Sequence, residues 1–345
     1  MKKMLALLLA LVMVLSLAAC ASSQPAAAST ETAETTETTE PAAEESAEAP
    51  AESGKTYTVG VCQLVQHEAL DAATQGFIDA LKEELGDAVT VDVQNASGDS
   101  VNCGTIVNGF VSKGVDLIMA NATPALTAAV SATADIPILG TSITAYGVAL
   151  DIDDFNGTVG GNVSGTSDLA DLQAQAQMIL DWFPETKTVG LLFCSAEPNS
   201  RCQIDEVRKA LEAQGVTCEE FAFTDSNDVS SVTQKAADFS DVVYIPTDNT
   251  AASNTEAIAN VLIPAGVPAI CGEEGLCRGC GVATLSISYY DLGVTTGEMA
   301  AKILKGEANI SEMPVEYTDA TPKYNASICD QLGITPLDGY EAIDG

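Results

Sequence analysis

The sequence predicts an α/β protein made of two doubly wound parallel-sheet units in tandem, with a cleft between them. Three observations carry this reading. Short apolar runs rich in valine alternate with segments of helical spacing; the alternation occurs in two similar series; and about 290 of the 345 residues have globular composition, enough for two domains of ordinary size. Strands that are apolar on both faces belong to parallel sheets covered by helices on either side.

The N-terminal segment stands apart from that pattern. Met1-Lys2-Lys3 precede an apolar run that ends at Leu17-Ala18-Ala19-Cys20, the order of a secretory signal closing on a lipoprotein box. This predicts a signal peptide over 1–19, cleavage before Cys20 and lipid on the Cys20 thiol. An uncleaved anchor is disfavoured, because residues 4–19 fall short of the roughly 20 that span a bilayer. Residues 20–54 read as a disordered acidic tether: Ala21 to Ser53 holds eight glutamates, no Lys or Arg and no aromatic residue, too little to repay the entropy of ordering.

Globular pattern begins at Thr56. Tyr57 to Leu64 reads as a strand, and Leu70, Ala73, Phe77, Ile78, Leu81 and Leu85 give the spacing of an amphipathic helix stopped by Gly86. Strands follow over 89–94, 115–120 and 137–139, with helices over 102–112 and 124–132. The second series places helices over 169–183, 200–214, 229–237 and 252–265, and strands over 188–193, 218–223, 242–245 and 269–271.

Ligands of such sheets gather at the carboxyl ends of the strands, where helix N-termini present amide groups. Polar residues collect there: Gln66, His67, Thr123 and Pro124 in the first unit, and Ser195, Glu197, Asn199, Ser200, Thr247, Asp248, Asn249 and Glu273 in the second. Facing sets of this kind suit a zwitterion, since helix N-termini accept a carboxylate and Asp or Glu an ammonium. Asp248 and Thr123 have a second reading as helix caps. His67, the single histidine, is either a pocket wall or a neighbour of the helix start.

Composition excludes other classes. A net charge of −35 with 14 Lys and Arg excludes a nucleic-acid partner. No dinucleotide glycine motif, phosphate loop or nucleophile elbow is present, and one histidine does not make a triad, so the reading is a binding protein without catalysis or cofactor. Cys277-Arg278-Gly279-Cys280 has the spacing of zinc and redox sites, but it reads as a loop, and a metal, a local disulfide and free thiols all stay open, with no metal favoured. Nine cysteines besides Cys20 leave at least one unpaired, and Cys62 and Cys103 are candidates to approach one another. Trp182, the sole tryptophan, reads as core.

The stretches Gln66-His67-Glu68-Ala69-Leu70-Asp71-Ala72-Ala73, Ala122-Thr123-Pro124, Gly161-Asn162-Val163-Ser164-Gly165-Thr166-Ser167-Asp168, Pro246-Thr247-Asp248-Asn249-Thr250 and Tyr289-Tyr290-Asp291-Leu292-Gly293 closely resemble the tryptophan/tyrosine-type substrate-binding lipoproteins of ABC transporters, over about Thr56 to Ile334. The resemblance implies the type I periplasmic-binding-protein fold, with hinge crossings near 163–165, 286–288 and 314–317. Lobe I would then be 55–163 plus 287–312, and lobe II 164–286 plus 313–345. It also implies an aromatic or other apolar amino acid as ligand. The Ala122-Thr123-Pro124 turn and the Ser195 to Ser200 loop would hold its backbone-like groups, Asp248 would face its ammonium, and Thr141 and Thr144 would line the pocket. The implied partners are a membrane permease with its ATPase, and the membrane itself through Cys20, for a monomer outside the cytoplasm. Ala145-Tyr146 stands where the family usually has Asp-Pro, and the Cys271 to Cys277 loop departs as well. A nucleoside or sugar derivative as ligand, or a sensory role without transport, are the alternatives.

Overall fold

A computed structural model of the chain describes residues 55–343. The expected signal peptide, Cys20 and the tether lie outside the described residues. The chain opens with β1 (Tyr57–Gln63), α1 (Glu68–Leu85), β2 (Val89–Asn95), α2 (Ser100–Lys113), β3 (Leu117–Asn121), α3 (Thr123–Ala132), β4 (Ile138–Ile143), the single turn α4 (Tyr146–Ala149) and β5 (Val163–Ser167). The second series is α5 (Leu172–Trp182), β6 (Thr188–Cys194), α6 (Pro198–Glu212), β7 (Thr217–Phe223), α7 (Val229–Phe239), β8 (Val242–Ile245), α8 (Asn249–Ala252), α9 (Thr255–Ala265), β9 (Ala269–Cys271), α10 (Glu274–Cys280) and β10 (Ala283–Ser286). The chain ends with α11 (Tyr289–Lys305), β11 (Glu316–Tyr317), β12 (Thr321–Tyr324), α12 (Ala326–Leu332) and β13 (Glu341–Ala342).

Local chemistry explains the boundaries. Glu68 and Asp71 lie in the first turn of α1 and Lys82 in its last, matching the helix dipole. The Asp99 side chain caps α2 by accepting from Val101 N, and Gly114 ends the helix in the left-handed conformation. β3 and β4 are buried along their whole length, as strands covered on both faces must be.

Two sheets result. The first has the order β11-β5-β4-β3-β1-β2 with every pair parallel, and the second β13-β12-β10-β9-β8-β6-β7, parallel except between β10 and β12. Strand order reverses between β1 and β3 in one sheet and between β6 and β8 in the other. These are the switch points where doubly wound sheets open a crevice.

The chain passes between the sheets three times. It leaves the first sheet after Ser167, returns between Ser286 and Tyr289, and leaves again after Tyr317. Two expected crossings therefore move. Val163 and Ser164 pair with Ile138 and Leu139, so the segment placed at the first crossing is strand β5 of the first sheet. Likewise Glu316 pairs with Thr166, which keeps the chain in the first sheet past the expected third crossing. Two further expectations change: residues 252–265 break into α8 and α9, and Cys277 to Cys280 is helical, as part of α10.

α11 returns to lie on α1 at backbone distance. A Cβ on Gly293 would stand 2.0 Å from the Ala73 carbonyl oxygen, and one on Gly76 would stand 2.1 Å from that of Tyr290. Only glycine permits this approach. Trp182 is buried in the second lobe, edge-on to Tyr340 at 5.1 Å.

Candidate functional site

The wall from the second lobe is built on three buried acids at strand ends. Asp248 follows β8 and caps α8: its Oδ1 accepts from Ala251 N at 2.8 Å, while Oδ2 accepts from Cys194 N at 2.6 Å and Ser200 Oγ at 2.8 Å. Glu197 follows β6 and clamps the next turn, accepting from the amides of Asn249 at 3.0 Å and Thr250 at 2.9 Å and from both side chains. Glu273 follows β9 and caps α10 through Gly275 N and Leu276 N. Burial pushes the Asp248 carboxyl up, helped by the neighbouring Glu197, and burial lifts Glu273 to about 7.

The first lobe contributes His67, Ser142, Thr144, Asp168 and Tyr289. His67 stands at the N-cap position of α1, whose start is fixed from behind: Gln63 Nε2 donates to Asp71 at 2.6 Å, and Thr74 Oγ1 to Gln63 Oε1 at 2.7 Å. His67 Nε2 meets Asn249 Oδ1 across the cleft at 3.3 Å. Since Asn249 Nδ2 donates to Glu197, its Oδ1 is the atom that faces His67, and the histidine must donate from Nε2. Burial holds the imidazole below its usual range, hence neutral.

Asp168 is the first residue after β5, at the crossing between lobes. It is 4% exposed; Oδ2 accepts from Tyr289 Oη at 2.8 Å, and Oδ1 has no hydrogen-bond partner. Burial raises its carboxyl, with Tyr289 and Thr144 pulling the other way. Two more polar atoms around the pocket are buried without a partner: Ser142 Oγ, on a residue at φ 55°, and Asn199 Oδ1, whose Nδ2 is spent on Glu197 and on Thr247 O. A buried, unsatisfied polar atom is costly, and one aimed at a pocket is a binding group in waiting.

The inner pocket is lined by His67, Leu70, Ser142, Thr144, Asp168, Asn199, Thr247, Asp248, Asn249, Ala252, Glu273 and Tyr289. Its walls stand close, leaving about 10 Å³ open to the centre of a water-sized sphere. Two larger grooves flank it. One of about 380 Å³ adjoins it at Asn249, with Pro124, Glu197 and Thr250 on its walls. The other, about 270 Å³, shares His67, Ala252 and Glu273 with it.

Of the residues singled out in the sequence, the structure brings together His67, Thr144, Asn199, Thr247, Asp248, Asn249 and Glu273 in the inner pocket, and Pro124 and Glu197 in the adjoining groove. Ser200 is one layer behind, bonded to Asp248. The remaining four depart from expectation. Ser195 is exposed and gives its hydroxyl to Phe223 O; Gln66 is exposed at the far groove; Thr123 is buried at the start of α3 and does not line the inner pocket; and Thr141 faces Thr166 inside the sheet. Asp248 faces the pocket, but both its oxygens are committed to protein donors. Asp168 and Ser142 were not singled out, since Asp168 follows a strand of small, mostly polar residues that carries no apolar signal, whereas Tyr289 belongs to the pair Tyr289-Tyr290 near the second crossing, of which one ring was expected to reach the cleft.

Among the described residues no cluster of His, Cys, Asp and Glu could hold a metal ion, and all nine described cysteines are free thiols. The thiols of Cys62 and Cys103 lie near enough to shift one another's titration, as do those of Cys271 and Cys280, with no bond joining either pair. No described helix is long and apolar enough to cross a membrane.

A family model described as ABC transporter substrate binding protein matches residues 58–339. A tyrosine-binding protein of Clostridioides difficile (strain R20291) is 33% identical over 276 residues, 78% of this chain and 79% of that protein. An ABC domain from Streptococcus pneumoniae, solved in complex with L-Trp, is 32% identical with a TM-score of 0.79, over 84% of this chain and 100% of that one. The ligand-free, open structure of a substrate-binding protein with adhesive properties from Clostridium difficile is 33% identical, covers 84% of this chain and 99% of that one, and has a TM-score of 0.64. At nearly equal identity, the TM-score is higher against the L-Trp complex than against the open structure.

Proposed function

The chain belongs to the family of ABC transporter substrate-binding proteins, and from that premise we propose that it captures an amino acid with an aromatic or other apolar side chain and delivers it to a membrane permease. Its place is outside the cytoplasm, and the signal ending at Cys20 supports attachment by lipid at that residue. No catalytic step is required of it.

The observation that carries the ligand assignment is Asp168 Oδ1, a buried carboxylate oxygen without a partner at the junction of the lobes. An ammonium supplies the missing donor and the missing charge together. Asn199 Oδ1, from the opposite lobe, is a second free acceptor for the same group. No Lys or Arg lines the pocket, so the ligand's carboxylate falls to neutral donors, among which the Ser142 hydroxyl is unspent. Leu70, Ala252 and the Tyr289 ring offer apolar faces to the side chain. The similar proteins described with tyrosine and L-Trp support this class. The narrowness of the pocket means that a ring enters only when the lobes part, and affinity then comes from contacts that both lobes make on closing.

Titration calorimetry with L-tryptophan, L-tyrosine, N-acetyl-L-tryptophan, a nucleoside and a sugar tests the proposal. The free amino acids should bind, and Asp168→Asn should weaken them roughly 100-fold, about 2.7 kcal/mol. Equal affinity for the N-acetyl compound would remove the ammonium from the scheme. Binding of nucleosides or sugars alone would overturn the amino-acid reading.

A further inference from the structure

Two consecutive residues at the start of α1 reach across to the second lobe. His67 does so inside the cleft, through Asn249. Glu68 does so outside it: its Oε1 accepts from Arg278 Nε at 3.0 Å. Arg278 is already anchored in its own lobe, because its Nη2 donates to Glu274 Oε1 at 2.8 Å, and Glu274 is held in turn by Lys323 Nζ at 2.6 Å. Arg278 and Glu274 stand on α10 and Lys323 on β12, so the guanidinium is positioned before the lobes meet and receives a carboxylate carried by the other lobe. The pair spans the groove that shares His67, Ala252 and Glu273 with the inner pocket, which makes it a bar across one mouth of the site.

We propose that Glu68 and Arg278 form a cross-cleft strap, two positioning residues that bias the lobes toward closure and slow ligand escape without touching the ligand. A contact made only in the closed form adds its whole free energy to the closed population. Glu68 is half exposed and Arg278 a third exposed, so the strap is weak and screened by salt. Its removal should raise the dissociation constant about two- to five-fold, through faster dissociation, since exposed pairs contribute on that scale. The strap depends on the two-lobe capture described above but not on which ligand is captured.

The test uses the whole purified protein with Glu68→Gln and Glu68→Lys, read in two ways. Small-angle scattering without added ligand should give Glu68→Lys a larger radius of gyration than wild type at low salt, with the difference shrinking in about 1 M NaCl. Stopped-flow release of L-tryptophan should be two to five times faster for Glu68→Gln at low salt and should converge with wild type at high salt, with the L-tryptophan to L-tyrosine affinity ratio unchanged. Wild-type scattering and release in both variants would overturn the strap. A changed affinity ratio would overturn it too, by making Glu68 a ligand contact. Should neither aromatic amino acid bind wild type, the ligand assignment fails while scattering still decides the strap; should Glu68→Lys misfold, Glu68→Gln decides it alone.

Discussion

Asp168 and Asp248 both follow a strand, both are buried, and burial raises both carboxyls. They differ in what already occupies them. Three donors hold Asp248, tying β6, α6 and α8 together, whereas Asp168 keeps one oxygen unspent. Asp248→Asn must turn an amide NH₂ toward a backbone N–H or a committed hydroxyl, so it should cost about 2–4 kcal/mol and lower the melting temperature by several degrees. Asp168→Asn removes a buried charge that has no cationic partner while its remaining carbonyl oxygen can still accept from Tyr289, so it should leave the melting temperature unchanged or higher. Thermal denaturation of the two variants checks the pair; a large loss of stability in Asp168→Asn would make it structural. Position after a strand brings Asp248, Asn249 and Glu273 to the cleft, as their sequence places them, but a free oxygen and a spent one look identical in a sequence.

Among the elements, the strands were the most legible, since Leu117 to Ala120 and Val242 to Ile245 are apolar without interruption and lie inside their sheets. β5 was not: Val163-Ser164-Gly165-Thr166-Ser167 is small and polar, yet all five residues are buried. The reason is crowding. Gly165 sits at φ 143°, and a Cβ there would stand 2.0 Å from Gly140 O and 2.5 Å from Tyr146 Oη. Small residues are what this strand requires, and polarity is met locally through the Thr141, Thr166 and Thr296 hydroxyls. α10 was hidden for a related reason, because Gly275 and Gly279 in seven residues mimic a loop. The α1–α11 contact yields a prediction of its own. Gly293→Val would force apart two helices in backbone contact and should destabilise the first lobe by about 1–3 kcal/mol or more. Calorimetric melting is the check, and a variant as stable as wild type would contradict the observed approach.

Three buried acids, Glu273, Asp168 and Asp248, hold their protons more readily in the folded molecule than in an unfolded chain. Glu273 at about 7, with Asp168 and Asp248 also raised, means that the folded state binds extra protons above the ordinary carboxylate range near pH 4. That stability is fully present below about pH 4 and is lost as pH rises through neutrality. Acids that are instead lowered, Glu220 by Arg201 and Asp241 by the Lys187 and Thr188 amides, favour folding above the ordinary carboxylate range and lose their contribution only on further acidification. His67 acts in the opposite sense as a single group. The ligand-free melting temperature should therefore fall between about pH 6 and about pH 8.5, and an ammonium-bearing ligand should offset the fall. A rise across that interval would contradict the assigned directions.

The hydrogen bond from Tyr289 to Asp168 joins the first crossing of the chain to the second. A fulcrum moves least when its levers swing, so the charge-reading group is ready in any state of opening. If Asp168 reads the ammonium as proposed, capture has an order: that group docks at the axle first, Asn199 completes its contacts with the swing, and His67 and Asn249 arrive to judge the rest of the ligand. Substitutions at the axle should then slow arrival, while those at the levers hasten departure.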